Sequence, residues 1–488
     1  MERRRQMLSI LVCHSYFMRL DPKQRERAKP YPPLATLQVA SLLRNAGHEV
    51  ALFDAMLAEG VQDFSRRLRE HRPDVVLLYE DNYNFLSKMC LARMRQAACE
   101  MIRESHAGGA RVIAAGSDSS DSPEPYLRAG ADLVLDGEGL GTLLELLPRL
   151  EADLEAPCEQ LTAGLHGVTA LVRGATTHLN GAQVVPQPHL PELPAWDLVD
   201  IESYRHVWRQ THGFFSLNMA ASRGCPFRCT WCAKPIWGNQ YLQRSPAEVA
   251  LEMTDLRRRF RPDHIWFADD IFGFRADWVA ELARLLEDSD SRIPFTIQTR
   301  ADLISERMAQ ALQAAGCREA WIGAESGSQR VLDSMRKGTT VAEIVTARNR
   351  LKAVGIRVGF FIQLGYLGEE LADIVATREL LDSARPDDVG VSVAYPLPGT
   401  AFYEIVKAQL SAKTHWQDSD DLAMMFSGTY SSDFYREIRN LLHEQVRIAQ
   451  ESPSVEEEDA EQVSRLNVRW ESLLALELRY RTGAAAPS

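Results

Sequence analysis

The chain has 488 residues, with 55 basic and 67 acidic side chains and a formal net charge of −12 at pH 7. That length favours two or three domains over one very large core. The anionic balance gives no support for general nucleic-acid binding and favours a small-molecule substrate. The sequence shows no apolar run near ~18 residues and no signal-peptide pattern, so we expect no membrane span and a cytoplasmic location.

Eight cysteines are too few to form a disulfide scaffold in a chain of this length, and they predict reduced thiols. Five of them are dispersed, and each is predicted to be a small buried apolar residue: Cys13, Cys90, Cys99, Cys158 and Cys317. The other three lie within the stretch ASRGCPFRCTWCAKP, residues 221–235, at Cys225, Cys229 and Cys232. Such a cluster indicates a metal site.

Residues 8–150 alternate apolar runs with segments of helical periodicity. The five runs are LSILVCH, EVALFDA, DVVLLYE, RVIAAGS and DLVLDGE. Strands this rich in Val, Ile and Leu, joined by helical crossovers, predict an α/β fold with a doubly wound, Rossmann-like parallel sheet. Ligands of such sheets bind at the carboxyl ends of the strands.

Polar or turn-forming loops follow three of these runs: YEDNYN (79–84), AGSDSSDSPEP (115–125) and DGEGLG (136–141). DGEGLG lacks the full spacing of a dinucleotide fingerprint, so a tight turn between a strand and a helix is the favoured interpretation. The small hydroxyl residues of AGSDSSDSPEP suit a flat polar ligand, although an ordinary solvated loop stays an alternative.

Residues 156–210 are predicted to be a linker, since PQPHLPELPAWDLVD and its surroundings are rich in proline. The segment 1–155 is then a first domain, and residues 211–400 form a second one. That second segment contains six further strand-like runs, FSLNMAAS, HIWFADD, FTIQTR, EAWIGAES, VGFFIQLG and DVGVSVAYP. They predict a partial (β/α)6 barrel whose chemistry lies at the strand ends.

Residues 401–488 are predicted to form a mainly helical carboxyl-terminal region. The acidic run SVEEEDAEQ indicates a solvated loop or helix start, and the tail TGAAAPS is predicted to be disordered. The apolar triplet of Met424, Met425 and Phe426 is expected to be core, with contact to substrate as the alternative. This region is also expected to shape the substrate pocket.

The cysteine loop follows the first barrel strand, at the predicted catalytic end. Structural zinc requires four closed ligands, and no second Cys or His pair lies near the three thiols. A catalytic zinc with three cysteines from one short loop would be unusual. A cubane iron-sulfur cluster held by three cysteines leaves one iron free for another ligand, and this interpretation is favoured.

The pattern C-x-x-x-C-x-x-C at Cys225, Cys229 and Cys232 resembles the signature of the radical S-adenosylmethionine (SAM) superfamily, as does the aromatic Trp231 before the last cysteine. The resemblance implies a [4Fe-4S] cluster whose fourth iron binds S-adenosylmethionine. It also implies that an electron from the reduced cluster cleaves the sulfonium to give a 5′-deoxyadenosyl radical, for which the protein supplies orientation and exclusion of water.

Further barrel segments resemble the same superfamily. FADDIF, with Asp269 and Asp270, resembles the motif that supports the methionine end of S-adenosylmethionine, and GAESGS, with Glu325, resembles the motif whose acid faces the ribose. Arg300, which ends FTIQTR, is a candidate partner for the methionine carboxylate. Helix capping for the acids and a structural salt bridge for Arg300 are the alternatives.

A doubly wound domain before such a barrel resembles the cobalamin-dependent branch of this family, and the resemblance covers roughly residues 8–405. YPPLATLQVASLL, the two strand-end loops and PLPGT (396–400) carry it. It implies cobalamin contacts at Pro33, Leu34, Tyr79, Glu80, Asn82, Gly116, Ser117, Asp118, Ser119, Gly137 and Glu138.

One departure from other cobalamin proteins is the lack of a D-x-H-x-x-G motif, which supplies an axial histidine in some of them. His14 ends the first strand alone and is expected to be a packed or hydrogen-bonded residue. The cobalt is then predicted to have no histidine from this motif, with its lower face near YEDNYNF.

In this branch the usual reaction is methylation of an unactivated carbon or a phosphinate of a small molecule. The resemblance implies that methylcobalamin donates the methyl group and that an external flavodoxin or ferredoxin supplies the electron. The alternative is a non-methylating enzyme such as an oxidative cyclase acting on magnesium-protoporphyrin monomethyl ester. A methylthiotransferase is disfavoured by the lack of a second cysteine triad, and a non-enzymatic carrier would leave the open iron unused.

Overall fold

The computed structural model describes residues 7–179, 190, 193–232, 236, 240–451 and 460–482. The chain forms two compact units. The first contains the described residues up to Met219, those of 233–240, and His415–Asp421, and the second contains the others. Among the described helices, none combines the length and the apolar character that crossing a bilayer requires.

The first unit is built on a seven-stranded sheet with the strand order β2-β1-β3-β4-β5-β6-β7. The strands are β1 (Ser9–Cys13), β2 (Glu49–Phe53), β3 (Val75–Tyr79), β4 (Arg111–Ala115), β5 (Leu133–Leu135), β6 (Val168–Val172) and β7 (Ala175–Leu179). The first five pair in parallel, and β6 and β7 form an antiparallel edge. The five predicted runs are therefore confirmed as strands.

Ten helices and two short 3-10 turns also lie among the described residues that precede Ser216. The helices are α1 (Pro22–Arg27), α2 (Leu34–Asn45), α3 (Val61–His71), α4 (Phe85–Lys88), α5 (Ala92–Ala107), α6 (Ser117–Asp121), α7 (Pro123–Ala129), α8 (Leu140–Ala152), α9 (Cys158–Leu161) and α10 (Ile201–His212), with 3-10 turns at Met18–Leu20 and Trp196–Leu198. All five residues of β3 are buried, as expected for a parallel strand covered on both faces. Because β1 lies between β2 and β3, the strand order reverses there, and the carboxyl ends of strands at such a reversal are where doubly wound sheets bind ligands.

The segment predicted to be a linker contains α9, the β6-β7 pair and most of α10. Val168 and Ala170 of β6 are almost fully buried, because their apolar side chains extend the core beneath the sheet edge. Most of the proline-rich stretch 186–192 lies outside the described residues. The domain boundaries given by the sequence stay a prediction.

The second sheet has six strands in the order β15-β14-β13-β12-β11-β8. They are β8 (Ser216–Met219), β11 (His264–Phe267), β12 (Phe295–Thr299), β13 (Cys317–Glu325), β14 (Arg357–Leu364) and β15 (Asp388–Val393), while β9 (Ser222–Gly224) and β10 (Tyr241–Gln243) form a separate antiparallel pair. Strands β11 to β15 pair in parallel and follow chain order. This is the predicted half-barrel, and the α/β fold class is confirmed.

Helices join these strands and continue into the carboxyl-terminal region. They are α11 (Pro246–Phe260), α12 (Ala276–Asp288), α13 (Glu306–Ala315), α14 (Gln329–Ser334), α15 (Val341–Ala353), α16 (Leu371–Ala384), α17 (Ala401–Val406), α18 (Ser432–Glu451), α19 (Ala460–Ala475) and α20 (Glu477–Tyr480), with 3-10 turns at Ala301–Leu303 and Lys407–Gln409. The region is mainly helical, as predicted. Residues 454–459 of the acidic run and 483–488 of the tail lie outside the described residues.

A short segment from late in the chain, His415–Asp421, belongs to the first unit. The backbone N–H of Ala92 donates to the carbonyl oxygen of Trp416 at 2.8 Å, and the Ser419 hydroxyl donates to Asp21 Oδ1 at 2.6 Å. Trp416 is buried. The first unit is therefore assembled from parts of the chain that are distant in sequence.

Candidate functional site

Two adjacent acids, Glu80 and Asp81, follow β3 at the carboxyl end of the first sheet, and both are buried. The backbone N–H and the hydroxyl of Ser15 donate to Glu80 at 3.2 and 2.5 Å. The N–H of Ala35 donates to Asp81 Oδ1 at 3.0 Å. Burial raises the pKa of both carboxyls, that of Asp81 to about 6. The ends of β1 and β3 and the start of α2 are thus joined around these acids.

Gly116, which follows β4, packs directly against Glu80. A Cβ atom at Gly116 would lie 2.7 Å from Cβ of Glu80, so only glycine fits without a shift. The Ser120 hydroxyl donates to the Gly116 carbonyl oxygen at 2.7 Å and accepts from the Gly137 N–H at 2.9 Å. Ser120 therefore ties the loop after β4 to the loop after β5.

The end of β3 also contacts the loop after β5. The Tyr79 hydroxyl donates to the Glu138 carbonyl oxygen at 2.9 Å, and both residues are buried. Pro33 precedes α2, and Leu34 is its first residue and is fully buried. The structure accordingly gathers the strand-end loops that carry the predicted cobalamin residues, while their contact with cobalamin stays a prediction.

Asp118 is engaged by protein groups. Arg95 donates to its two oxygens at 2.6 and 2.5 Å, the Tyr126 hydroxyl donates at 2.8 Å, and Nε2 of His415 lies 3.6 Å away. Burial alone would raise the pKa of Asp118, but these hydrogen bonds and the Arg95 charge hold it well below its usual range. The neighbouring Ser119 hydroxyl donates to the Gly116 carbonyl oxygen at 3.2 Å. Asp118 thus fixes α6, since the segment predicted to be a loop after β4 forms the short helices α6 and α7.

Two other predicted residues carry polar atoms that lack partners within the part of the chain that the structure describes. Asn82 is fully buried, and neither its Nδ2 nor its Oδ1 is hydrogen-bonded. The buried Ser117 hydroxyl likewise has no hydrogen-bond partner among the described residues. Because buried polar groups normally find partners, these atoms fit a ligand with many amides at its rim, as cobalamin has.

His14 is buried at the end of β1 and is held by its neighbours. Its Nε2 lies 2.9 Å from Asp54 Oδ1 and 3.0 Å from the backbone nitrogen of Ala55. The Tyr204 hydroxyl donates to the other oxygen of Asp54 at 2.6 Å. Burial would lower the pKa of His14, but the hydrogen bond and charge of Asp54 raise it. These contacts give His14 the hydrogen-bonded role expected from the sequence.

The cysteine loop lies in the second unit, after β9. Cys225, Cys229 and Cys232 are all half-buried and free of disulfides. Among the described residues, no three His, Cys, Asp or Glu side chains are grouped closely enough to hold a metal ion. The three thiols lie on one loop, but they are not close enough together to form a complete set of metal ligands. Their number and spacing fit three corners of a [4Fe-4S] cluster.

Arg300 contacts this loop at two places. Its Nη1 lies 3.7 Å from Sγ of Cys229, and its guanidinium lies 3.7 Å from the ring centroid of Phe227. Nη2 donates to the Lys337 carbonyl oxygen at 2.7 Å, and Asp302 pairs with the same guanidinium at 2.9 Å. The structure thus places a buried cation beside a predicted cluster ligand.

Glu325 forms a buried ion pair with Lys337, with Nζ and Oε1 at 2.6 Å. A Cβ atom at Gly323 would lie 2.6 Å from both of these atoms, so the glycine leaves room for the pair. Burial lowers the pKa of Lys337, but the charges of Glu325 and Cys229 raise it above its ordinary value. Glu325 has a left-handed backbone, φ 61°, which is unusual for a residue other than glycine.

Asp269 is bound to the segment just before the cysteine loop. The N–H of Ala221 donates to its oxygens at 3.2 and 3.0 Å, and the Ser222 hydroxyl donates at 2.6 Å. Burial raises the pKa of Asp269 to about 7, against the effect of these hydrogen bonds. Asp270, the next residue, is partly exposed. Asp269 therefore positions the approach to the cysteine loop.

Trp231 packs in an apolar cluster that includes Phe426 and the partly buried Met424. Met425 and Phe426 are buried, which agrees with the core role predicted for the triplet. Thr230, between two of the cysteines, shares a hydrogen bond of 2.7 Å with the Tyr366 hydroxyl. The carboxyl-terminal region thus packs beside the cysteine loop within the second unit.

Several residues at these sites were missed from the sequence: Lys337, Phe227, Ser120, Arg95 and His415. Phe227 lies inside the cysteine motif, so its position was a signal that could have been used. Ser120 bonds locally to Gly116, but its link to Gly137 and the contacts of Lys337, Arg95 and His415 depend on the tertiary fold. Arg95 and His415, for example, are 320 residues apart.

Comparison with known families places two domains on this chain. Residues 219–381 match the Radical SAM superfamily, and residues 25–147 match the B12 binding domain. The first match contains the cysteine loop with Asp269, Arg300 and Glu325. The second contains the strand-end loops around Glu80 and Gly116.

Individual relatives are distant but cover most of the chain. The uncharacterized methyltransferase PH0819 of Pyrococcus horikoshii is 24% identical over 379 residues, covering 76% of this chain and 78% of the relative. The hopanoid C-3 methylase of Methylococcus capsulatus is 26% identical over 431 residues, covering 83% and 73%. The structure of TsrM from Kitasatospora setae, a radical S-adenosylmethionine methyltransferase with cobalamin and a [4Fe-4S] cluster bound, has a TM-score of 0.65 at 19% identity, covering 83% of this chain and 75% of that one. This last likeness shows the fold.

Proposed function

Because the chain belongs to the cobalamin-binding branch of the radical SAM superfamily, we propose that it methylates an unactivated carbon, or a phosphinate, of a small molecule. The methyltransferase names of both distant relatives support methyl transfer. The observation that carries the proposal is that one chain holds a three-thiol loop beside the buried Arg300 guanidinium, together with strand-end segments that carry unpartnered buried polar atoms.

Cys225, Cys229 and Cys232 would hold the cluster, which with bound S-adenosylmethionine supplies a 5′-deoxyadenosyl radical. Arg300 supplies positive charge beside Cys229, which stabilises anionic thiolate ligands. Asp269 keeps the start of the loop in place through Ala221 and Ser222.

Four residues are proposed to contact S-adenosylmethionine directly, in addition to the aromatic Trp231: Asp269, Asp270, Arg300 and Glu325. In the structure, Asp269 and Glu325 already have protein partners, so each would bind the cofactor while held in place by them. Groups whose rotamers are fixed in this way lose little freedom when they bind a ligand.

The crevice of the first unit would hold cobalamin, which supplies a transferable methyl group. Asn82 and Ser117 offer free hydrogen-bonding atoms, and Gly116 allows close approach of the backbone. Glu80 and Asp81 hold the surrounding loops together, and the network of Arg95 and Asp118 fixes the loop after β4. These residues orient the ligand and exclude water from its face.

The electron would come from a flavodoxin or ferredoxin, and nucleic acid is not a partner in this proposal. All eight cysteines are free thiols, which supports a reducing compartment. We assign the protein to the cytoplasm on that basis.

The first test is to express the full chain anaerobically with cobalamin supplied, desalt it, and measure its absorbance spectrum and metal content. We expect about four iron, four sulfide and one cobalt per chain, as the family's cofactors require. Iron without cobalt would overturn the methyltransferase assignment. Turnover with labelled S-adenosylmethionine then distinguishes a methylated product from ring closure without added label, which would favour the cyclase alternative.

A further inference from the structure

The sheet of the half-barrel has two faces. Helices cover the outer face, and the other is the inner face of the barrel. Strands β11 to β15 follow one another in chain order, so right-handed crossovers place their helices on a single side. Ile322 of β13 and Phe360 and Ile362 of β14 are almost completely buried on that side. The alternate residues Trp321 and Phe361, which point the other way, are partly exposed.

Trp321 and Phe361 form an aromatic shelf on the inner face. Their rings stack with centroids 4.8 Å apart and an interplanar angle of 28°. In the strand register Trp321 is opposite Gly359, and Phe361 is opposite Gly390. A Cβ atom at Gly359 would lie 2.5 Å from the Trp321 ring, and one at Gly390 would lie 3.2 Å from Phe361. Two glycines on neighbouring strands thus leave the space that lets both rings lie against the sheet.

Other contacts hold the shelf in this position. The indole N–H of Trp321 donates to Oε2 of Glu319 at 3.3 Å, which fixes the orientation of the ring. Each of the two stacked residues keeps part of its surface accessible. A pair of rings held in one orientation and left partly exposed is suited to stacking a third ring.

An unpartnered polar atom lies on the same face. Gln363 comes two residues after Phe361 on β14, toward the carboxyl end of the strand, and only 5% of its surface is exposed. Its Oε1 has no hydrogen-bond partner among the residues that the structure describes. A buried amide oxygen without a donor is costly, and a ligand N–H or O–H would satisfy it.

We propose that the Trp321–Phe361 shelf and Gln363 form the substrate-binding subsite of the barrel, and that the substrate carries a planar unsaturated ring bearing an N–H or O–H group. The inference rests on the proposed function, since it names the substrate class for that reaction. A planar ring gains more from offset stacking on two aligned rings than a saturated ring of equal size. Trp321, Phe361 and Gln363 are then specificity-determining residues.

The test uses 2-naphthol and decahydro-2-naphthol, which share a hydroxyl but differ in planarity. Equilibrium dialysis of the anaerobically reconstituted full chain gives the Kd of each probe without requiring turnover. We expect 2-naphthol to bind more tightly than its saturated counterpart. Trp321→Leu and Phe361→Leu should each weaken 2-naphthol binding by about three- to tenfold. Gln363→Leu should remove the preference for 2-naphthol over naphthalene.

Two further variants keep the test decisive. Gly359→Ala retains both rings but displaces Trp321, so it should also weaken 2-naphthol binding. Phe360→Leu is the matched control, because Phe360 lies on the same strand but on the helix-covered face, and it should leave the Kd unchanged.

Three results would overturn the inference: equal binding of the planar and saturated probes, unchanged affinity in both shelf variants, or displacement of 2-naphthol by saturating S-adenosylmethionine. The last result would assign the shelf to the adenine of that cofactor. A wrong proposed function would give a different result. Cobalt or methyl transfer would be missing, while the Kd values of the planar and saturated probes could still be compared.

Discussion

Arg300 contacts several separate segments around the cysteine loop. It directly follows β12, and there it reaches Phe227 and Cys229 of the cysteine loop and the Lys337 carbonyl oxygen. A guanidinium stays charged even when buried and offers several donors in a rigid plane. One side chain thus joins three parts of the second unit around the thiols.

The cysteine assignment gives a direct prediction. Replacing Cys225, Cys229 and Cys232 together with Ala should abolish iron and sulfide binding and the brown absorbance of the anaerobically reconstituted protein, because the cluster would lose its ligands. Cys158→Ala is the matched control, since this thiol is also half-buried but lies elsewhere. Retention of a full cluster by the triple variant would refute the assignment.

The Glu325–Lys337 pair gives a second prediction, this time for stability. Lys337→Met should lower the free energy of unfolding by about 3–5 kcal/mol, because it leaves a buried carboxylate without its partner. The double variant Glu325→Gln, Lys337→Met should recover much of that loss. Urea denaturation of the full chain measures both, with the exposed Arg284→Gln as control. Equal losses in the single and double variants would contradict this account.

At the scale of elements, the strand-end loops of the first sheet form one connected group. Ser120 joins the loops after β4 and β5, Tyr79 joins β3 to the second of these, and Asp81 joins β3 to α2. A crevice built from loops that brace one another is pre-organised for a large ligand, so less ordering remains when the ligand binds.

Ser120→Ala should weaken cobalamin retention several-fold and leave the iron content unchanged, because it removes the hydroxyl that links Gly116 and Gly137. Gly116→Val should have a larger effect, since its side chain would displace Glu80. The cobalt-to-iron ratio after desalting measures both. Ser65→Ala is the control, because that hydroxyl only bonds within α3. An unchanged ratio in both loop variants would argue against a cobalamin role for these loops.

At the scale of the whole molecule, several buried carboxyls have raised pKa values. Burial raises that of Asp81 to about 6 and of Glu369 to about 8. Between its ordinary pKa and the raised value, each group holds a proton in the folded chain that the unfolded chain releases. The stability that these protonated carboxyls contribute is therefore fully present at low pH, and it is lost as the pH rises through the pKa of the folded state.

Glu369→Gln should flatten the fall in stability between about pH 5 and 8, by up to about 1.4 kcal/mol per pH unit. The amide oxygen can still accept from the Gly365 N–H, which donates to Glu369 at 2.6 Å. Urea denaturation at both pH values measures the change. Glu124→Gln, in an exposed pair, should leave the slope as it is. A slope in Glu369→Gln equal to that of the unmodified chain would disprove the prediction.

The sequence predicted the strands of both sheets because long apolar runs bounded by turn residues are local signals. The antiparallel edge strands β6 and β7 were not recognised, because VTALV and ATTHL fall in the segment predicted to be a linker, and ATTHL is half polar. The cysteine motif was equally local. The Lys337 partnership and the opposition of Trp321 to Gly359 depend on tertiary packing and strand register, which no short pattern reports.

The membership of His415–Asp421 in the first unit has a consequence for how this protein is made and divided. During synthesis, the partners that Asp21 and Ala92 find in Ser419 and Trp416 leave the ribosome hundreds of residues later. A chimeric enzyme that contained only residues 1–219 of this chain would lack two hydrogen bonds. Asp21 would lose its bond from the Ser419 hydroxyl, and the Ala92 N–H would lose the Trp416 carbonyl oxygen. A module transferred from this chain keeps these contacts only if residues 415–421 are supplied with it.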